Sequence, residues 1–222
     1  MGLKPTRGLV AFGPEQGSQY FGTTVDGVLT RSVRDAAAML DVLVGPRDSS
    51  MAWSPSSACL CEDDVRVDCR PLRISVTTTP PLGLVEDECA EATRMVGGVL
   101  EQLGHQVEED TPNWGIMMAV AGGPMSVPRP AGLVGPEMIG SVEPRNRGMI
   151  QSLANLTVVE HAAWVGQVQA RSRKFLSFWD RYDVVVTPTA GIIAPPVTWA
   201  PWDQTPEEYG HVRVLPEFCP AV

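Results

Sequence analysis

At 222 residues, 44% hydrophobic and 19% charged, the chain has enough apolar material for a buried core and is not composed like a disordered segment. Its net charge of -9 argues against a nucleic-acid partner, because duplex binding needs a cationic face that releases counterions. The opening residues Met1 to Gly8 contain no apolar signal-like region. No stretch reaches the roughly 18 uncharged apolar residues of a membrane span, so a soluble cytoplasmic protein with no membrane partner is expected.

The five cysteines are odd in number, in a chain too large to need disulfide staples. Cys59, Cys61 and Cys69 lie close together, but His105 and His161 are too distant to supply a fourth ligand. Reduced thiols are therefore expected, with no metal and no cofactor. Cys89 and Cys219 read as packing residues.

In chain order, the first clear element runs from Ser32 to Val44. Val33, Ala36, Ala37, Leu40 and Val44 share a helical face, Ser32 stands as N-cap with Asp35 at N3, and Gly45 is a stop. Residues 48 to 70 are polar and Ser-rich and read as a surface excursion. Leu72 to Val76 then reads as a strand, Glu86 to Leu103 as an amphipathic helix ended by Gly104, and His105 to Glu108 as a second strand. That order predicts a right-handed βαβ unit with a parallel strand pair.

Residues 112 to 147 are rich in Gly and Pro, interspersed with Trp114, Met117, Met118, Met125 and Met138. Gly and Pro break regular elements while Met and Trp supply adaptable apolar surface, so an irregular buried connection and a lid or channel wall both remain open. Thr157 to Trp179 predicts a long helix, with Thr157 and Glu160 forming a capping box and Ala162, Val165, Val168 and Phe175 near one face. Tyr182 to Thr187 is a nearly continuous β-branched run, the pattern of a strand covered on both faces, and Pro188 ends it.

General catalytic templates find no match. The chain has no G-x-S-x-G elbow, H-E-x-x-H, P-loop or paired C-x-x-C. His161 falls inside a predicted helix and reads as a half-buried structural histidine; Asp180, Arg181 and Asp183 read as a solvated cap or local salt bridge.

Three segments carry a family resemblance. Gly2-Leu3-Lys4-Pro5-Thr6-Arg7-Gly8 resembles the segment that closes the signature region of amidase-signature enzymes. Asp26 to Ala37, followed by Leu43-Val44-Gly45-Pro46-Arg47-Asp48, resembles their G-P-L-T-R-S-V-x-D-A-A block and L-x-G-x-x-D helix end. Val28 stands where that family usually has Pro. Arg181 to Thr189 resembles the Y-D-x-x-x-T-P-T strand. The resemblance implies an α/β fold, part of the amidase-signature architecture with a mixed β-sheet covered by helices. It also implies one domain over 1–222, incomplete at both ends. Within it, 1–48 would close the signature region, 70–110 would form the βαβ unit, 112–150 the irregular lid or channel segment, and 157–190 a helix and buried strand.

What the resemblance implies for chemistry is hydrolysis of carboxamide C–N bonds, with a lysine relaying a proton through one serine to activate another. The family's Ser-Ser-Lys set precedes the segment matched by Gly2 to Gly8. No catalytic residue is therefore assigned within this chain. Lys4 belongs to the matched segment, and Ser49-Ser50 and Ser56-Ser57 lack flanking glycines for an oxyanion hole. Trp114, Met117, Met118, Met125, Thr187, Pro188 and Thr189 are the expected substrate-pocket residues, facing a small-molecule amide, with a homodimer as the candidate assembly. The alternatives are a protein similar to the glutamyl-tRNA amidotransferase A subunit, or a truncated remnant acting as a binding module.

Overall fold

The computed structural model describes residues 1–6, 8–10, 25–44, 61–81, 84–114, 135–153 and 156–196. The described residues up to Arg70 form one compact unit, and those from Pro71 onward form a second.

In the first unit the two N-terminal motif segments pair directly. Gly2 and Leu29 form an antiparallel bridge, and the Thr30 N–H donates to the Met1 carbonyl at 2.9 Å. A Cβ on Gly27 would lie 3.0 Å from the Leu3 carbonyl oxygen, so this close approach suits glycine. Helix α1 (Val33–Leu43) begins as expected, with the Asp35 N–H donating to Ser32 Oγ at 3.1 Å. Ala36 and Ala37 are buried, whereas Val33 at the end of the predicted face is exposed.

The polar excursion contains one helical turn, α2 (Cys61–Asp64). Its cap is remote in sequence: the Asp41 carboxylate accepts from the N–H groups of Cys61 (2.7 Å) and Glu62 (3.0 Å). Those two bonds favour the charged form and hold Asp41 below the usual carboxylate range. Burial, reinforced by a hydrogen bond to Asp41, pushes the Cys61 thiol up.

The second unit is built on a parallel three-stranded sheet, order β2-β1-β3. Strand β1 (Arg73–Val76) is followed by α3 (Asp87–Gln102) and β2 (Gln106–Glu109), which is the expected βαβ unit. Gly104, at φ +90°, ends the crossover helix in the left-handed region. After Trp114 come a 3₁₀ segment (Pro136–Ser141), α4 (Pro144–Leu153), α5 (Val158–Leu176), a second 3₁₀ segment (Ser177–Asp180) and β3 (Val184–Val186). The end of the Gly/Pro-rich stretch, from residue 135, thus carries short helical segments, while residues 115 to 134 of it lie outside the described residues. Pro144 takes the first position of α4, where its missing N–H costs nothing, and Arg147 Nη2 donates to the carbonyls of Gly140 (3.2 Å) and Val142 (2.9 Å).

α5 carries the predicted capping box: the Glu160 N–H donates to Thr157 Oγ1, and the Glu160 carboxylate accepts from the Thr157 N–H. Of its predicted face, Phe175 is buried, Val165 and Val168 are half-buried and Ala162 is exposed. No helix among the described residues is long and apolar enough to cross a membrane.

In-register pairing sorts the strand residues by face. Ile74 aligns with Val107 and Val184, and Ser75 with Glu108 and Val185. The Ile74/Val76 face packs against α3, where Gly97 sits so close that an added Cβ would lie 3.0 Å from Val76 Cγ2. The opposite face carries Ser75, fully buried, whose hydroxyl donates to the Asp110 carbonyl at 2.6 Å. A buried hydroxyl costs little when it is bonded in this way. β3 occupies an edge of the described sheet and is only partly covered, although its continuous valine run suits a strand covered on both faces.

Candidate functional site

Because the three strands are parallel, their amino ends gather at one edge of the sheet and their carboxyl ends at the other. In open α/β sheets ligands bind outside the carboxyl ends.

A charge network starts at the amino edge and runs across the sheet to Asp110, just past the carboxyl end of β2. Arg73, opening β1, pairs with Asp183 at 3.3 Å, while the Arg73 N–H donates to Asp183 Oδ2 (2.9 Å) and its guanidinium to the Asp180 carbonyl (3.1 Å). Arg181 contacts Asp110 at 2.8 Å and stacks over the Phe178 and Tyr182 rings. Tyr182 crosses the sheet to place Oη 2.9 Å from Asp110 and 3.0 Å from Glu108. The Asp180-Arg181-Asp183 cluster was expected to act locally; instead it ties the entry of β3 to residues more than 70 positions earlier. A cavity of about 300 Å³ lies against these residues, and Arg73, Arg181 and Glu108 on its wall are already bonded within the network.

Burial, followed by hydrogen bonds to Asp110 and Glu108, raises the Tyr182 phenol to about 12. Asp110 is pushed up by burial, but its bonds from Tyr182, Thr111 and Arg181 outweigh this and leave it below the usual range. A phenol whose folded value lies above its ordinary value near 10 stabilises the fold fully below pH ~10 and loses that contribution as pH rises through about 12. Spectrophotometric titration of the phenolates should show one of the three tyrosines ionising late, together with alkaline unfolding. Tyr182→Phe should remove that late component, and its persistence would refute the assignment.

The carboxyl edge has a different chemistry. Thr77 is 1% exposed, accepts from the Thr79 N–H at 3.1 Å and shares a 2.7 Å hydroxyl contact with Thr111. Trp114, buried, donates its indole N–H to the Thr79 carbonyl at 2.8 Å and packs on Phe175 with ring centroids 5.7 Å apart. The Thr77 N–H donates to the Val186 carbonyl, which brings Thr187, Pro188 and Thr189 to the same edge. Pro188 is buried, Thr187 half-buried and Thr189 exposed. The Glu86 N–H donates to the Gly191 carbonyl (2.7 Å), and its carboxylate accepts from the Ile193 N–H (3.1 Å), fixing the chain beyond.

Of the sequence-predicted pocket residues, Trp114, Thr187, Pro188 and Thr189 share this edge, with Trp114 wedged against Phe175. Met117, Met118 and Met125 lie outside the described residues. Thr77, Thr79 and Thr111 were missed. For Thr79 and Thr111 a signal is present in the sequence: a Thr-Pro pair follows each of the three strands, at 79–80, 111–112 and 187–188. Proline cannot donate to a ladder and restricts the residue before it, so each pair, starting one to three residues past its strand, keeps the ladder from resuming. Elsewhere, His161 is half-buried on α5, 6.5 Å from the Trp164 ring. Among the described residues no three His, Cys, Asp or Glu side chains gather as a metal site.

Residues 1–121 match the amidase family profile. The chain belongs to the amidase family. This family chain is 35% identical over 116 residues to 6-aminohexanoate-cyclic-dimer hydrolase of Paenarthrobacter ureafaciens, covering 50% of this chain and 24% of that protein. It is 29% identical over 229 residues to a Mycobacterium tuberculosis protein named as an amidase, AmiA2, covering 100% of this chain and 46% of that protein. The structure of 6-aminohexanoate cyclic dimer hydrolase complexed with substrate superposes with a TM-score of 0.76 at 27% identity, over 93% of this chain and 46% of that one. The amidase chain therefore spans between a quarter and a half of the length of the relatives it matches. Both the α/β class and the family reading agree with these matches.

Proposed function

We propose that this chain supplies scaffold and substrate-pocket parts of an amidase that hydrolyses the C–N bond of small, uncharged carboxamides. The observation that carries the reading is the superposition of nearly the whole chain on a substrate-bound amide hydrolase, with the carboxyl edge of the sheet formed by threonine hydroxyls, Pro188 and Trp114. Those groups suit a neutral amide: the hydroxyls bond its polar atoms, the ring and proline take its apolar part, and no charge needs a counter-ion. The family resemblance places the Ser-Ser-Lys set before the segment matched by Gly2 to Gly8, so this reading gives it no counterpart here. Chemistry would therefore rest on residues supplied from elsewhere.

The purified chain is expected to show no turnover of simple aryl amides. Joined to an amidase-family segment bearing the Ser-Ser-Lys set, it should hydrolyse them, and Thr187→Ala should alter the kcat/KM ratio among amides differing in the acyl group. Serine-dependent hydrolysis by the chain alone would overturn the division of labour. Unchanged selectivity in Thr187→Ala would overturn the pocket assignment.

A further inference from the structure

The hydroxyl contact between Thr77 and Thr111 has a direction that proton bookkeeping fixes. Thr77 is 1% exposed, and its Oγ1 already accepts the Thr79 N–H at 3.1 Å. Its own hydroxyl proton must find an acceptor, because a buried donor left unmade is costly. Among the described residues the acceptor in reach is Thr111 Oγ1, at 2.7 Å. Thr77 therefore donates and Thr111 accepts. Thr111 is half-buried, and its backbone N–H is taken by Asp110 Oδ1 at 2.8 Å, which fixes the residue on the edge of the sheet. What remains is the Thr111 hydroxyl proton, which has no acceptor among the described residues and is strengthened by the two bonds behind it.

From this relay we infer that Thr111 is a substrate-contacting, specificity-determining residue, donating its hydroxyl proton to the carbonyl oxygen of the neutral amide. The inference rests on the pocket reading given above and adds to it a named donor and the substrate atom it selects. A ligand of the same outline with no carbonyl leaves that donor facing water and gains nothing from it. Thr187 and Thr189, by contrast, follow an edge strand and make no hydroxyl–hydroxyl bond among the described residues.

The test compares acetanilide with N-ethylaniline, its analogue without the carbonyl, titrated into the full 222-residue chain and followed by threonine methyl shifts in NMR. Wild type should prefer acetanilide by about fivefold, the worth of one neutral hydrogen bond. Thr111→Val should bring the ratio close to one and also lower the thermal midpoint, because the buried Thr77 hydroxyl loses its acceptor, and Thr111→Ser should restore both. Retention of the wild-type ratio by Thr111→Val would refute the role of Thr111 while leaving the pocket intact. Failure of wild type to bind either compound at this edge would refute the pocket reading itself and the inference with it. Independently, the Thr77 hydroxyl proton should exchange slowly and show contacts to Thr111; a protected Thr111 proton directed at Thr77 would overturn the relay.

Discussion

Replacing Phe178 with alanine should destabilise the second unit by about 3–5 kcal/mol, the range for truncating a buried aromatic. Phe178 is 7% exposed and packs on Tyr182 with ring centroids 4.8 Å apart, on Trp179 edge-to-face at 6.1 Å, and beneath the Arg181 guanidinium at 5.4 Å. Its loss leaves more than a cavity. Tyr182 is aimed at Glu108 and Asp110 partly by this stack, and Arg181 reaches Asp110 while lying over the same ring. A loosened stack therefore weakens the ties that hold β3 to the sheet, and β3 delivers Thr187 to Thr189 to the carboxyl edge. Phe178→Leu keeps most of the volume and should cost far less, under about 1.5 kcal/mol. In urea unfolding, Phe178→Ala should lower the midpoint with an unchanged slope. A loss below about 1 kcal/mol would mean the aromatic cluster does not anchor this strand.

Where the chain spoke locally, the sequence was readable. Ser32 with Asp35, and Thr157 with Glu160, are short-range pairs that mark helix starts by the bonds they make, and both starts are found where expected. The βαβ unit followed from a β-branched run, an amphipathic helix and Gly104 in the right order. Misses came where the deciding partner was remote. α2 is capped by Asp41, twenty residues earlier, so the polar run around it offered no local start signal. Asp183 reads in sequence as part of a local charge cluster because Arg73, its partner, is 110 residues away. α4 was hidden among breakers, since Pro144 is compatible with a helix only at its first turn. At the candidate site, Thr187 to Thr189 were legible through the family motif. Thr77 was not, because its place there depends on one buried hydroxyl bonding another across two strands.

The neighbouring glycines of α3 give the second large contrast, and they should respond in opposite directions. In a helix interior glycine costs about 1 kcal/mol relative to alanine, so a glycine there needs a reason. Gly97 has one. An added Cβ would stand 3.0 Å from Val76 Cγ2 and 3.8 Å from Val107 Cγ1, both on the strands beneath. Val76 is 7% exposed and pinned within the parallel ladder, so it has little freedom to give way. Gly97→Leu should therefore force α3 off the sheet and cost about 1–3 kcal/mol through overpacking. Gly98 meets nothing within 4 Å. Gly98→Ala should instead stabilise the chain by about 0.5–1 kcal/mol, through helix propensity and a less flexible unfolded state. Thermal unfolding of the two variants beside wild type gives the comparison. Helix α3 covers the Ile74/Val76 face, so the Gly97→Leu loss should reach the strand pairing, with faster amide exchange at Ile74 and Val107. Equal, small effects at the two positions would show that α3 does not lie as close to β1 and β2 as the 3.0 Å approach requires.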